Sequence, residues 1–190
     1  MKNAIILHGW PSKEEYYDPQ KPSLSNAHWF PWLQSHLLKA GVAAATPEVP
    51  NSFELNWPVW VKEFERFDIT PSTTLIGHSA GGGFILKYLS IHPTVKVGKV
   101  VLVAPWLDPD NESDGKFFDG FEMDTNLVGR TQGITIFASD NDDDDVKKTI
   151  ASLRNKVRNL RYQEFHNYGH FCYKDMHTVE FPALLDEALA

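Results

Sequence analysis

The feature that most restricts what this chain can fold into is an apolar run that ends in a Gly-x-Ser-x-Gly pentapeptide. Residues 73–77 have the composition of a strand buried on both faces, and residues 81–91 have that of a helix. The pentapeptide Gly77-His78-Ser79-Ala80-Gly81 joins them. So tight a turn leaves no room for a Cβ at Gly77 or Gly81, and it lifts the serine hydroxyl clear of the backbone. The sequence therefore predicts a nucleophile elbow with Ser79 as the nucleophile.

The rest of the chain alternates short apolar runs with longer segments of helical periodicity. This alternation is typical of a parallel sheet flanked by helices. The predicted strands, rich in Val, Ile, Leu and Thr and barely alternating, are residues 4–8, 42–46, 73–77, 99–104, 133–138 and 161–165. We predict one α/β domain over residues 1–190, with about six parallel strands and helices on both faces.

Two turn-rich stretches, residues 11–27 and 106–130, interrupt this alternation. Both follow the end of a predicted strand, where α/β proteins build their binding sites. The second stretch is too short for a full lid domain. We therefore expect an open, shallow site.

The composition excludes several classes of protein. Eighteen Lys and Arg residues against 25 Asp and Glu give a formal net charge of −7, and the chain has no basic stripe, which argues against nucleic acid as a partner. Cys172 is the only cysteine, so an intrachain disulfide and a Cys-rich metal site are excluded. No apolar stretch reaches transmembrane length, and the N-terminal run is too short for a signal peptide. We expect a cytoplasmic protein without a membrane partner, as a monomer or a small homo-oligomer.

A serine nucleophile needs a base that takes its proton and a third group that holds the base. In folds built around such an elbow, the order along the chain is serine, acid, histidine. His170 lies just after the last predicted strand, in a loop where Gly169 precedes it. His166 is the main rival, but it lies at the strand edge without a glycine before it. We predict His170 as the general base.

The acid is expected in the loop after residues 133–138, which carries five aspartates between positions 140 and 145. Asp142 is our choice, because Asp140 is nearer the strand end and the last two aspartates should already be helical. Asp143 is the next choice. Asp108, after the strand at 99–104, also stays open. The run lacks the Gly and Glu that an EF-hand loop requires, so we predict no metal site.

Acyl transfer also needs two backbone N–H groups aimed at the developing oxyanion. Ala80, the residue after the nucleophile, is expected to supply one. The loop after the first strand should supply the other, with Trp10 as our choice and Gly9 as the alternative. Trp10 and Trp106 each lie just beyond a strand end, and we expect them to line an apolar acyl pocket.

Several segments together resemble the YdeN-like family of small serine hydrolases in the α/β-hydrolase superfamily. The chain is more distantly similar to the retinoblastoma-binding serine hydrolase of animals. The segments that carry the resemblance are His8-Gly9, Asn-Ala-His-Trp-Phe-Pro-Trp-Leu at 26–33, the pentapeptide at 77–81, Ala138-Ser139 with an acid shortly after, and Gly169-His170-Phe171. The run at 26–33 is the most family-specific of them.

The resemblance implies a minimal α/β-hydrolase sheet, a Ser79–Asp142–His170 triad and hydrolysis of esters or amides. Relatives usually show one or two acids followed by an apolar-Pro pair, whereas this chain has four consecutive aspartates. That departure leaves the choice between Asp142 and Asp143 open.

Two hypotheses of function follow. The first is a serine hydrolase that cleaves small carboxylic esters or activated amides through an acyl-enzyme and needs no metal or organic cofactor; a thioesterase on the same triad is a close variant. The second is a hydrolase-like scaffold that acts mainly by binding a protein partner.

Overall fold

The structure, a computed structural model, describes residues 2–113 and 116–190. Its centre is a six-stranded, all-parallel sheet in the order β2-β1-β3-β4-β5-β6. The strands are β1 (Asn3–Leu7), β2 (Ala43–Ala45), β3 (Thr73–His78), β4 (Val100–Val103), β5 (Ile134–Ser139) and β6 (Arg161–Phe165). The predicted parallel sheet of about six strands is confirmed, and each strand starts within one residue of its predicted start.

Seven helices lie around the sheet within the described residues. They are α1 (Lys13–Tyr17), α2 (Phe30–Lys39), α3 (Trp57–Phe64), α4 (Ala80–Ile91), α5 (Asp144–Lys156), α6 (Tyr173–Met176) and α7 (Pro182–Leu189). None of these helices is both long enough and apolar enough to cross a bilayer. The described part of 106–130 contains only a short 3-10 turn, Leu127–Arg130, so the prediction of no full lid domain holds there.

Burial separates the centre of the sheet from its edges. Every residue of β4 and β5 is buried, as expected for strands covered on both faces. The edge strands β2 and β6 are partly exposed, and β6 carries polar residues along its length. Burial on both faces therefore holds for the central strands and not for the two edge strands.

Helix α1 lies within residues 11–27, which we expected to be irregular. The Ser12 side chain accepts a hydrogen bond from the Glu15 N–H, and the Glu15 carboxylate accepts one from the Ser12 N–H. This capping box satisfies backbone donors at the helix start. The Ser-x-x-Glu spacing at 12–15 was the signal that could have predicted the helix.

The strand register brings four loops to one edge of the sheet. Leu7 at the end of β1 is level with Gly77 near the end of β3, and Ser139 at the end of β5 is level with Phe165 at the end of β6. Because all strands run parallel, the loops that follow them share the carboxyl edge, where open α/β sheets bind ligands.

Candidate active site

Ser79 joins β3 to α4 with a strained backbone. Its φ of 54° and ψ of −123° are unfavourable for a residue with a Cβ, at a cost of about 1–3 kcal/mol. The Ser79 carbonyl accepts hydrogen bonds from the N–H groups of Gly82, Gly83 and Trp106 at 3.0–3.1 Å. These bonds offset the strain and hold the serine at the point of the turn.

The glycines around Ser79 are required by packing, as the sequence predicts for two of them. A Cβ at Gly77 would lie 2.6 Å from the Gly82 nitrogen, and one at Gly81 would lie 2.4 Å from the His8 carbonyl oxygen. A third close approach was not predicted: a Cβ at Gly83 would lie 2.0 Å from the Trp106 carbonyl oxygen. The elbow therefore depends on three glycines.

The structure pairs His170 with Asp142. The His170 Nδ1 lies 2.8 Å from Asp142 Oδ1, in loops that follow β6 and β5. The Asp142 side chain is fully buried, and that of His170 is 22% exposed. A carboxylate can only accept, so Nδ1–H donates and the neutral ring keeps Nε2 free to take a proton. This is the tautomer that a general base for a serine hydroxyl requires.

The buried carboxylate of Asp142 is held mainly through one oxygen. Oδ1 also accepts the Asp143 N–H at 2.8 Å. Oδ2 is buried and has no hydrogen-bond partner among residues 2–113 and 116–190. The bond from Oδ1 therefore fixes the orientation of the His170 ring.

The two alternative acids have other roles in the structure. Asp143 is exposed and stands at the N-cap position of α5. The buried Asp108 carboxylate accepts hydrogen bonds from the Glu112 and Ser113 N–H groups. Neither carboxylate is hydrogen-bonded to His170. The geometry therefore favours Asp142 over Asp143 and Asp108, a choice that the sequence left open.

The rival histidine, His166, forms a separate pair with Asp140. Its Nδ1 contacts the Asp140 carboxylate, and its side chain is 81% exposed. Within the described residues it makes no contact with Ser79. Gly169, the residue before His170, has a φ of 51°, and a Cβ there would lie 2.6 Å from the Asp175 side chain.

Ser79 and His170 line the same cavity, which has a volume of about 920 Å³. Among the residues the structure describes, Ser79 Oγ forms no hydrogen bond, to His170 or to any other group. In serine hydrolases this hydrogen bond is often long until substrate binds. Ser79, the predicted nucleophile, and His170, the predicted base, therefore line the same cavity but are not hydrogen-bonded to each other.

The two candidate oxyanion donors lie beside Ser79. A Cβ at Gly9 would stand 3.0 Å from Ser79 Cβ and 3.5 Å from its Oγ, so the loop after β1 packs directly on the serine. Trp10, the next residue, lines the cavity. Ala80 is the first residue of α4, where a backbone N–H has no acceptor within the helix.

The site is larger than the shallow one we expected, because its cavity has a volume of about 920 Å³. Residues 9–32 and 170–179 supply most of the cavity wall, and α1 is part of it. Ser79 and His170 also border a second, smaller cavity of about 100 Å³. Trp10 borders both cavities and Trp106 only the smaller one; their rings stack with centroids 5.3 Å apart.

His78 lies inside the elbow pentapeptide, and the sequence indicated no role for it. Its buried ring donates Nε2–H to the His170 carbonyl at 2.8 Å, and the two rings lie 4.9 Å apart. Burial lowers the pKa of His78 well below its usual value, so the ring is neutral at pH 7. His78 thus links the end of β3 to the loop that carries His170.

These groups are also of the types that bind metal ions. In the described part of the chain, Asp142, Asp143 and His170 offer ligand atoms within 4.8 Å of one another. The His170 nitrogen next to Asp142 already donates its proton to that carboxylate, and a donating nitrogen has no lone pair for a metal. These contacts favour an acid–base pair over a metal centre.

A parallel sheet with a serine at a strained strand-to-helix elbow, and a histidine–aspartate pair on later loops of the same edge, defines an α/β hydrolase. The family model described as Serine hydrolase matches residues 5–185. The chain therefore belongs to the serine hydrolase family, and the predicted resemblance is confirmed.

Individual relatives agree with this assignment. The YdeN protein of Bacillus subtilis is 29% identical over 106 residues, which cover 54% of this chain and 50% of YdeN, so the match spans half the length of that relative. The crystal structure of the ydeN gene product superposes with a TM-score of 0.79 and 23% identity, over 98% of this chain and 96% of that one. Est1E from Butyrivibrio proteoclasticus with ferulic acid bound gives 0.60 and 15%, over 98% and 86%. At these identities the two structures support the fold alone.

Proposed function

We propose that this protein hydrolyses small carboxylic esters through an acyl-enzyme formed on Ser79. One observation carries the proposal: a buried aspartate fixes the tautomer of His170 at the wall of a cavity that also contains Ser79 on its elbow. The family membership and the ferulic acid bound to Est1E agree with ester chemistry.

In the proposed reaction, Ser79 Oγ attacks the ester carbonyl while His170 Nε2 takes its proton. The N–H groups of Ala80 and Trp10 bind the oxyanion of the tetrahedral intermediate. His170 then gives the proton to the departing alkoxide, and the acyl group remains on Ser79. Water attacks the acyl-enzyme with His170 again as base, which releases the acid and restores the serine.

Asp142 stays ionised throughout the proposed cycle. It holds the imidazole through Nδ1 and stabilises the imidazolium that forms in both halves of the reaction. No step requires a metal ion or an organic cofactor.

A fluorophosphonate probe tests the proposal, because it reacts covalently with an activated serine. We expect it to label the wild-type protein and to abolish 4-nitrophenyl acetate hydrolysis, whereas Ser79→Ala is neither labelled nor active. Ser72→Ala is the matched control and should behave as wild type, because Ser72 is an exposed serine in the turn just before β3, at the opposite end of the strand from Ser79. Wild-type protein that hydrolyses the ester but is not labelled would contradict the proposal.

The competing hypothesis, a scaffold that acts mainly through a protein partner, predicts no labelling of folded wild-type protein. Thioester and amide hydrolysis would use the same groups and differ in the leaving group. Matched oxygen esters, thioesters and anilides with one acyl group therefore rank the bond types by kcat/KM, and we expect the oxygen ester to lead the anilide.

A further inference from the structure

His28 belongs to the Asn-Ala-His-Trp-Phe-Pro-Trp-Leu run at 26–33, and the proposed triad makes no use of it. The residue lies just before α2 with a φ of 53°, a left-handed conformation in which His and Asn are enriched. Its ring lines the 920 Å³ cavity, 6.2 Å from the ring of His78. The most family-specific motif of the sequence thus contributes a polar side chain to the chamber that contains Ser79.

The hydrogen bonds of His28 identify which ring nitrogen carries the proton. Nδ1 accepts the Tyr173 N–H at 3.1 Å and is therefore unprotonated. Burial, and next the neighbouring His170, lower the pKa of His28, which keeps the ring neutral near pH 7. A neutral imidazole with Nδ1 unprotonated carries its hydrogen on Nε2. Across residues 2–113 and 116–190, this Nε2–H donor has no hydrogen-bond partner.

The carboxylates of the cavity wall are already engaged by other donors. Glu15 pairs with Lys21 at 2.7 Å and closes the capping box of α1. Glu48 accepts the Ser25 N–H at 2.8 Å. Neither is hydrogen-bonded to His28, so its Nε2–H is available to a ligand in the cavity.

We propose that His28 is a substrate-binding residue that donates Nε2–H to an oxygen acceptor on the larger part of the ester. The proposal rests on the proposed function for the ester itself. Of the two cavities that Ser79 borders in the described part of the chain, of about 100 and 920 Å³, the one that His28 lines has the room for the larger part of a substrate. A fixed donor there favours an oxygen-bearing chain over a hydrocarbon chain of equal length, because the hydrocarbon would leave the donor unpaired.

Two pairs of nearly isosteric esters test this preference. The acyl pair is 4-nitrophenyl pentanoate and 4-nitrophenyl 3-methoxypropanoate; the alcohol pair is butyl acetate and 2-methoxyethyl acetate. In each pair one CH₂ becomes an ether oxygen. After division by the alkaline hydrolysis rates, we expect wild-type kcat/KM to favour the ether by about tenfold in the pair whose variable chain enters the large cavity.

Three variants distinguish loss of the His28 Nε2–H donor from loss of folding. His28→Asn tolerates the left-handed backbone and can still accept the Tyr173 N–H through its Oδ1, but it has no donor at the Nε2 position, and the ether preference should fall to about one. His28→Gln places an amide N–H at a reach similar to Nε2, and part of the preference should remain. His92→Asn, which removes an imidazole outside the cavity, should keep the wild-type ratio. Thermal unfolding checks that each variant is folded.

A binding measurement in the Ser79→Ala background makes the test independent of catalysis. Isothermal titration with the same ester pairs should give the ether a lower Kd, and adding His28→Asn should remove the difference. If fluorophosphonate labelling fails but this binding preference depends on His28, the proposed function fails and the binding role stands. A preference that survives His28→Asn, or no preference in either wild-type pair, overturns the proposal.

Discussion

Two histidine–aspartate pairs stand on the same two loops, and only one of them has the geometry of a catalytic pair. His170 with Asp142 and His166 with Asp140 both connect the loop after β6 to the loop after β5. The carboxylate of the first pair is fully buried, whereas Asp140 is 36% exposed and its partner ring 81% exposed. Water competes for the groups of so exposed a pair, and the contact does not fix them in one arrangement.

The backbone around the two rings differs as well. The His170 carbonyl accepts the His78 Nε2–H, and the His170 N–H donates to the Asp175 carboxylate at 3.2 Å. His166 has a contact with the neighbouring Asn167 side chain and the Asp140 carboxylate. A partner carboxylate alone therefore does not identify a base. The buried carboxylate and the hydrogen bond from His78 are what distinguish His170.

The largest expected difference between the pairs is in the histidines. His170→Ala should lower kcat for 4-nitrophenyl acetate by about 10⁴- to 10⁶-fold, because no other group can take the Ser79 proton. His166→Ala is the matched control and should stay within about twofold of wild type. Steady-state kinetics with circular dichroism as a folding check measure both. A larger loss in His166→Ala would exchange the roles of the two pairs.

The aspartates provide the second comparison. Asp142→Asn keeps the shape of the side chain but removes the charge that holds the His170 tautomer, and we expect kcat to fall by about 10⁴-fold. Asp140→Asn, Asp143→Asn and Asp108→Asn should each change kcat by less than about tenfold. Equal losses in all four variants would show that none of these carboxylates is the proposed acid.

The sequence predicted the parts of this site that lie within one short segment of the chain. The strand, the serine and the need for small residues at Gly77 and Gly81 all follow from one tight turn. The acid register did not follow, because four consecutive aspartates look alike in sequence. They differ only once the helix begins: Asp143 takes the N-cap position with its side chain exposed, and Asp142 points inward.

The size of the cavity could not be predicted from local pattern either. Its wall depends on contacts between distant parts of the chain, such as the Asn51 N–H to the Tyr16 hydroxyl and the Tyr173 N–H to His28. The last contact joins residues 145 positions apart. The sequence pattern predicted that residues 11–27 lie next to the site. The tertiary contacts are what hold this segment over Ser79.

A smaller effect is expected from the hydrogen bond that only the buried pair possesses. His78→Phe removes the donor to the His170 carbonyl, and a shift of the base by about 1 Å costs up to about 100-fold in rate. We expect a 10- to 100-fold loss in kcat with a smaller change in KM, because His78 borders the large cavity but is buried and acts mainly through the His170 carbonyl. His78→Gln, which can still donate to the carbonyl, should recover part of the loss. A loss confined to KM, or no recovery with Gln, would contradict this positioning role.

The smallest expected effect is on the pH dependence of stability, and it again separates a buried ring from an exposed one. Burial lowers the pKa of His78, so below the unfolded-state pKa of about 6.5 the unfolded chain binds more protons than the folded one. The free energy of unfolding therefore falls as the pH decreases through that value, by up to about 1.4 kcal/mol per pH unit for this residue. His78→Gln should lose less stability than wild type between pH 7.0 and 5.5 in urea denaturation.

His166→Gln removes an imidazole without removing a buried one, and it is the matched control for this measurement. Burial also lowers the pKa of His8 and of His28, and both residues are present in every variant. We expect the control to keep the wild-type difference between the two pH values. If His78→Gln kept it as well, His78 would not be the buried neutral ring that ties the elbow to the loop of His170, and the contrast between the two pairs would rest on Asp142 alone.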